Sequence, residues 1–387
     1  MKELSMKKRR IKKRYLLAFI VMLCILIVSF HYGCGNPSGQ GELGLVGVGG
    51  TSARTFAYVT NNGSNNISGY IIDPDTGNMT SIGLFPTTPP ATYPERIVAS
   101  PSGKYLYVSH MGAGQISAFK IHSVTGTLEE IVGSPYDTGG GTMPLGMVID
   151  PSGKFLYVTN YNTGLFAFSI DPDTGILSKI IGSQFQSGAY PMGAAIDPSG
   201  KFLYVTNTGE YDVTGFRIDP STGKITTVEG SPFSVGAYPT ALATDPSGKY
   251  LFVVQMNTND IYVKRIHSDT GTLEAVGSFS SYLNQSGIAI VPSGKYLYVT
   301  DYDLNDISGY RIDPGTGDLA ALGLFPAGLN PRGIAMDTTG KYLYAVNENS
   351  NKVTGYRINS DTGDLVSFGL FDTGSTPRYI SLVRIVK

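Results

Sequence analysis

Past its first thirty-odd residues, this chain is built from short runs of five to seven residues rich in apolar, aromatic and β-branched side chains, each bounded by Asp, Pro, Ser, Thr or Gly. Such runs between turn residues predict strands, and nothing after residue 33 sustains a helical period. One copy shows the unit: Gly333 to Asp337, Tyr342 to Asn347, Lys352 to Ile358 and Leu365 to Phe371. The phrase Ser-Gly-Lys-Tyr-Leu-Tyr-Val recurs with its glycine at Gly103, Gly153, Gly200, Gly248, Gly294 and, after Thr339, Gly340, at spacings of 50, 47, 48, 46 and 46. A period in the forties made of four strands is the mark of a propeller blade, which is stable only when stacked between neighbours around an axis.

Two turn types punctuate each unit. Asp-Pro-Ser-Gly joins the first and second runs, as at Asp150 to Gly153, and Asp-Pro-Asp-Thr-Gly or a relative joins the third and fourth, ending at Gly77, Gly126, Gly175, Gly223, Gly271, Gly317 and Gly363. Seven such turns, and seven Tyr-Val strands if Phe252-Val253 and Tyr344-Ala345 are counted with Tyr58, Tyr107, Tyr157, Tyr204 and Tyr298, predict an all-β, seven-bladed propeller of four-stranded antiparallel blades. The first copy, near Thr55, lacks an upstream first strand, whereas the chain ends on an orphan run, Arg378 to Val386. The expectation is that this last strand joins the first blade, closing the ring and removing its open edges.

The ends differ in kind from this body. Lys2, Lys7, Lys8, Arg9, Arg10, Lys12, Lys13 and Arg14 precede an apolar stretch from Tyr15 to Phe30, so residues 1–33 read as a secretory signal peptide. The run His31-Tyr32-Gly33-Cys34 resembles a bacterial lipoprotein box, which implies cleavage before Cys34 and its lipidation, although His31 stands where that box usually has Leu. Residues 34–53 then form a glycine-rich tether reaching about 25 Å, and residues 54–387 the propeller. The expected location is a bacterial cell envelope, in the periplasm or on the surface, held to the membrane only through the lipid. Cys24 and Cys34 are the only cysteines, so the exported body holds no disulfide.

Charge excludes one class of partner. Setting aside the eight basic residues of the signal and Glu3 leaves 21 basic against 29 acidic residues. An acidic body does not suit nucleic acid, whose binding rests on neutralising phosphates. A monomer is expected.

The repeat Asp-Pro-Ser-Gly-Lys-Tyr-Leu-Tyr-Val-Thr-Asn, with Tyr-Val-Thr-Asn at Tyr58 to Asn61, Tyr157 to Asn160 and Tyr204 to Asn207, resembles the seven-bladed lactonase propellers over nearly the whole exported chain. That group includes the propeller type of 6-phosphogluconolactonase and muconate-lactonizing enzymes, and shades into Tyr-Val-Thr-Asn repeat proteins of cell surfaces. The resemblance implies a site where Pro-Arg-His opens an innermost strand and Asn-Glu follows the next Tyr-x-Val strand. Pro331-Arg332 and Asn347-Glu348 match it, sixteen residues separating Arg332 from Glu348, but Gly333 replaces the histidine, and Asp-Pro or Thr338 replaces the His-Pro of the family's first turns.

The propeller register leads to the same place. The residue after each Pro, or its equivalent, lies on a ring around the axis: Glu95, Leu145, Met192, Thr240, Ser286, Arg332 and Arg378. Ring closure makes Glu95, Arg332 and Arg378 neighbours, with Arg96 and Glu348 beside them. Arg332 and Glu348 are the candidate catalytic pair, and Arg378, Arg96 and Glu95 candidate ligand-binding residues for a carboxylate or phosphate; an ion-pair belt across the closure is the alternative. No metal or cofactor is expected. His110, His122 and His267 lie in separate copies where sister copies have Asn or Asp and read as turn or loop substitutions, and Asp301, Asp303 and Asp306 read as a solvated loop. Two functions remain open: a propeller binding a small anionic molecule, a lactone or a protein partner on its loop-rich face, or a 6-phosphogluconolactonase-like carboxylic ester hydrolase. The missing histidine weighs against proton transfer.

Overall fold

A computed structural model describes residues 53–87, 93–139, 143–182, 184–282 and 284–386. The expected signal peptide, Cys34 and the tether lie outside them. Seven sheets are arranged in a ring, all their strand pairs antiparallel. We number the blades from the N-terminus. Their innermost strands are Pro377–Ile385 in blade 1, then Pro94–Ala99, Pro144–Ile149, Pro191–Ile196, Pro239–Thr244, Gln285–Ile290 and Pro331–Met336 in blades 2 to 7. Each packs beside the next, and Pro377–Ile385 touches both Pro331–Met336 and Pro94–Ala99, so the ring is complete.

Closure occurs as the unmatched ends require. Arg54–Asn61 is the second strand of blade 1 and pairs antiparallel with Pro377–Ile385, Arg54 opposite Ile385 and Asn61 opposite Pro377. The sheet of blade 1 therefore mixes the first and last strands of the folded body. In blade 7 the strands Pro331–Met336, Tyr342–Asn347, Lys352–Ile358 and Leu365–Asp372 fall on the four predicted runs to within two residues.

The blades differ at their rims. In blades 1, 5, 6 and 7 the outer strand is continuous over eight residues, as in Leu273–Ser280. In blades 2 to 4 it stops after three, at Leu128–Glu130, Leu177–Lys179 and Ile225–Thr227. Gly133, Gly182 and Gly230, at φ of 92°, 77° and 77°, turn the chain there. The chain then returns to the third strand as Tyr136–Asp137, Phe233–Ser234 or a single bridge from Phe185 to Leu165. Blades 2 and 4 thus carry a fifth, two-residue strand where four were expected.

The repeated motif proves to be a fastener between blades. The hydroxyl of its tyrosine is buried and donates to the carbonyl of the turn glycine in the next blade: Tyr58 to Gly126, Tyr107 to Gly175, Tyr157 to Gly223, Tyr204 to Gly271 and Tyr298 to Gly363, at 2.6–2.9 Å. Tyr344 donates to Gly77 at 2.7 Å and carries the series across the closure. Burial pushes the Tyr58 and Tyr107 hydroxyls well above the usual phenol range, so they stay protonated donors. Phe252 cannot take part, and in its blade Tyr250 donates to Gly315 at 2.6 Å instead. The motif's threonine fastens the other end, Thr60 to Glu95, Thr159 to Met192 and Thr300 to Arg332, each to a backbone carbonyl at 2.7 Å. Apolar clusters fill the space between, each spanning two blades, as where Ala57 and Val59 meet Tyr342 and Tyr344.

The turn carboxylates serve turn geometry. Asp150 accepts backbone hydrogen bonds from Ser152 and Phe155, while Gly153 adopts a φ of 74°. Asp171 accepts from the Thr174 hydroxyl and the Thr174 and Asp173 backbones, which hold its carboxyl below the usual value. His122 takes the same role through Nδ1, which accepts from the Thr125 backbone. Among the described residues no three His, Cys, Asp or Glu side chains gather as a metal site would require.

Candidate functional site

The motif's last position, closing each second strand, is a side chain sealed from solvent in every blade: Asn61, His110, Asn160, Asn207, Gln255, Asp301 and Asn347. In three of the four blades with Asn there, the amide donates to a hydroxyl on the third strand, Asn61 to Ser68, Asn207 to Thr214 and Asn347 to Thr354, at 2.7–2.8 Å, whereas Asn160 has Ala167 at the equivalent place and reaches Thr138 at 3.5 Å. Two sequence expectations change here. His110 is a buried strand residue, not a loop substitution, with Nε2 at 2.8 Å from the Ser117 hydroxyl; burial lowers its pKa to about 4. Asp301 likewise belongs to a strand and not to a solvated loop. Neither of its oxygens has a hydrogen-bond partner of good geometry among the described residues, although Ser308 adjoins it. Burial raises its pKa to about 7.

From these strand ends a backbone hydrogen bond ties each hairpin to the residue preceding the innermost strand, and in blade 7 Glu348 N–H donates to Asn330 at 3.0 Å. That bond sets Glu348 over the channel mouth, the end of the ring where the innermost strands begin. Asn330 has a φ of 55°, a conformation asparagine tolerates. Arg332, the second residue of its strand, donates from Nε to Glu348 Oε2. Arg378 Nη1 donates to the same oxygen at 2.8 Å, and its Nε lies 3.7 Å from Glu95 Oε2. Four of the five candidate side chains thus form one chain of charge across blades 7, 1 and 2, which exists only because the last strand closes the ring.

Arg96 stands apart. Its Nε donates to the Leu145 carbonyl at 2.7 Å, and its guanidinium lies 3.6 Å from the centroid of the Tyr379 ring, pairing with no carboxylate among the described residues. Tyr379 and Tyr302, whose ring centroid is 5.2 Å from the Arg332 guanidinium, are members of the site that the sequence reading missed. Tyr379 could have been found from the register, because it and Arg96 occupy the position held by Gly146, Gly193, Gly287 and Gly333 in other blades.

Gly333 also shows what the missing histidine would meet. A Cβ there would lie 2.6 Å from the Tyr379 Cα and 2.7 Å from the Arg378 carbonyl. Backbone fills the space, and no imidazole fits without moving the neighbouring strand.

Burial and charge pull against each other at the two arginines. For Arg332 burial disfavours the cation, but Glu348 and Glu95 overrule it and raise its pKa. For Arg378 burial and then repulsion from Arg332 dominate, lowering it despite the same two carboxylates. Burial, followed by the charge of Glu348, raises the Tyr302 hydroxyl. Glu95, Glu348 and Arg378 are almost wholly buried, whereas the Arg332 side chain keeps 26% of its surface. With three guanidiniums against two carboxylates, this cluster carries a surplus positive charge on an otherwise acidic body, and Arg332 and Arg96, unlike Arg378, are its partly exposed arginines.

A closed seven-bladed ring with this mouth defines a lactonase-type propeller. The family described as lactonase, 7-bladed beta-propeller, matches residues 51–190, 179–282 and 278–380, and the chain belongs to it. No curated protein matches the sequence. Among solved structures, a Bacteroides fragilis protein provisionally named a 6-phosphogluconolactonase is 20% identical with a TM-score of 0.75, over 86% of this chain and 99% of that one. The periplasmic gluconolactonase of Pseudomonas aeruginosa is 17% identical with a TM-score of 0.74 over the same shares. A Lactobacillus plantarum protein is 19% identical with a TM-score of 0.74, over 86% of this chain and all of that one. At these identities the likeness is one of fold.

Proposed function

We propose that this chain is an exported, lipid-tethered propeller of the cell envelope whose mouth binds a small polyhydroxy acid or its lactone. The observation that carries this reading is Arg332, an arginine whose side chain is partly exposed and whose guanidinium is held in place by a buried carboxylate. Glu348 spends one oxygen on two arginines, an arrangement that orients Arg332 and leaves its outer edge for a ligand carboxylate or lactone carbonyl. Tyr302 and Tyr379 supply aromatic walls beside it. The envelope setting rests on the basic and apolar leader and on Cys34; the P. aeruginosa neighbour, itself named a periplasmic gluconolactonase, offers a precedent for this fold outside the cytoplasm.

Lactone hydrolysis is the second reading, favoured by the direct Arg332–Glu348 contact. In it Glu348 would activate water while arginine steadies the developing oxyanion. Its double engagement and the absent histidine weigh against that. Calorimetry with gluconate and 6-phosphogluconate, alongside a panel of aldonolactones, separates the readings. Binding without turnover, abolished in Arg332→Ala, supports the first; turnover lost in Glu348→Gln establishes the second. Absence of both binding and turnover removes the mouth from consideration. Palmitate labelling of the wild type but not of Cys34→Ser tests the tether.

A further inference from the structure

Across the mouth from the charged cluster lies a second concentration of chemistry, made of four tyrosines from blades 3, 4 and 5. Tyr161 and Tyr190 stack with centroids 4.6 Å apart and planes 18° from parallel, and Tyr211 and Tyr238 meet at 5.0 Å. The ionisation of Tyr161 is disfavoured by burial and by both Tyr190 and Tyr238, which places the four rings in one group. All stand on the loops of the mouth face, as the shared hydrogen bonds from Tyr161 N–H to Met143 and Thr208 N–H to Tyr190 show.

Their backbone makes the group more than packing. The residue before the innermost strand is left-handed in every blade; Tyr190 and Tyr238 hold it at φ of 59° and 57°, as do Tyr93, Met143 and Thr376, whereas Asn284 and Asn330, at 58° and 55°, are the residues such backbone suits. Tyr211 has a φ of 66° at a hairpin position where other blades carry Asn65, Gly114, Asn305 and Asn351, at 52° to 67°. Left-handed backbone suits asparagine and glycine and disfavours tyrosine. Three of the four tyrosines thus replace the residue their backbone prefers, and Tyr190 remains 45% exposed rather than buried as recompense. Left-handed backbone retained beneath a cluster of partly exposed, mutually packed rings points to a ligand.

The surroundings select its class. The loops around the rings, residues 161–163, 184–190, 208–211, 235–238 and 256–259, contain one charged residue, Glu210, and are otherwise rich in amides and hydroxyls such as Gln184, Gln186, Asn257 and Asn259. A neutral, hydroxyl-rich ligand suits this. The electronegative faces of the rings attract the electropositive C–H faces of a sugar, and amides pair with its hydroxyls. We infer that the tyrosine sector of blades 3 to 5 is a binding platform for a neutral oligosaccharide, long enough to lie over rings from three blades.

The test uses variants that should help the fold while harming the platform. Tyr190→Asn and Tyr211→Asn install the residue the backbone prefers, so urea unfolding should show stability equal to or above wild type. Calorimetry of the full chain with cellohexaose, maltohexaose and chitohexaose should show binding of at least one, weakened tenfold or more in either variant and unchanged in Arg332→Ala. Binding of none at millimolar concentration, binding undiminished in both variants, or loss of stability in both would overturn the inference. Preferential binding of a polyproline decamer over every sugar would also do so.

Discussion

One register position, the residue after the start of each innermost strand, is Glu95, Arg332 and Arg378 in blades 2, 7 and 1 but Leu145, Met192, Thr240 and Ser286 in blades 3 to 6. The backbone around it is held alike in both sectors, by threonine hydroxyls reaching carbonyls of the next blade at Thr60 and Thr300 on one side and Thr159 on the other. The difference teaches that fastening and chemistry are separated along each strand. Motif residues lock the blades together, and the position beside them is free to vary. Charge has gathered at the seam where the two ends of the folded body meet, so one strand both closes the ring and supplies an arginine to the site.

The largest effect should come from removing that strand. Deleting residues 377–387 opens blade 1, leaving the edge of Arg54–Asn61 unpaired and Pro331–Met336 and Pro94–Ala99 without their neighbour; we expect loss of the folded monomer, measured by circular dichroism and gel filtration, and an unchanged melting temperature would refute the structural role of the seam. Arg378→Ala should cost about 3–5 kcal/mol in urea unfolding, because Glu95 stays buried without its cation and Glu348 keeps Arg332 alone. Met192→Ala, on the same ring in the uncharged sector, should cost distinctly less. Equal losses would erase the contrast between sectors.

Asp301→Asn sharpens the comparison from the border between them. The unfolded chain ionises Asp301 near the usual carboxylate value, the folded protein only near 7, so the folded state binds the extra proton in between and stability falls as pH rises through that window. Asparagine removes this fall and restores the residue found in four other blades. A gain of about 1–3 kcal/mol at pH 7, shrinking towards pH 4, is expected. A gain of the same size at both pH values would assign the effect to packing alone. Tyr344→Phe, which removes one buried hydrogen bond across the seam, should cost about 1 kcal/mol.

The fold was legible because its information is repeated. The period, the Asp-Pro-Ser-Gly turns and the unmatched terminal strands each demanded a closed ring, and the pairing of Tyr58 with Ser381 and Val59 with Ile380 is the outcome. The charged cluster was legible for the same reason, since a register read around the axis placed Glu95, Arg332 and Arg378 together before any distance was known. Its partition was not. That Arg96 turns to Leu145 and Tyr379 depends on how far the neighbouring backbone stands away, a quantity no spacing along the chain encodes. Sequence position alone also misread Asp301 and His110, which look like hairpin residues until the pairing of Asn61 with Asn66 shows that the strand includes its last polar side chain. The tyrosine group was invisible for a third reason: its members are ordinary residues made notable only by left-handed backbone at Tyr190, Tyr211 and Tyr238.

Arg54 enters its strand opposite Ile385, whereas Asn61, at the other end, sits at the mouth opposite Pro377. Both ends of the described body therefore lie on the underside of the ring. A label joined at Arg54 or Val386 starts on the side of the ring away from the mouth, clear of the face where Glu348 and the tyrosines stand.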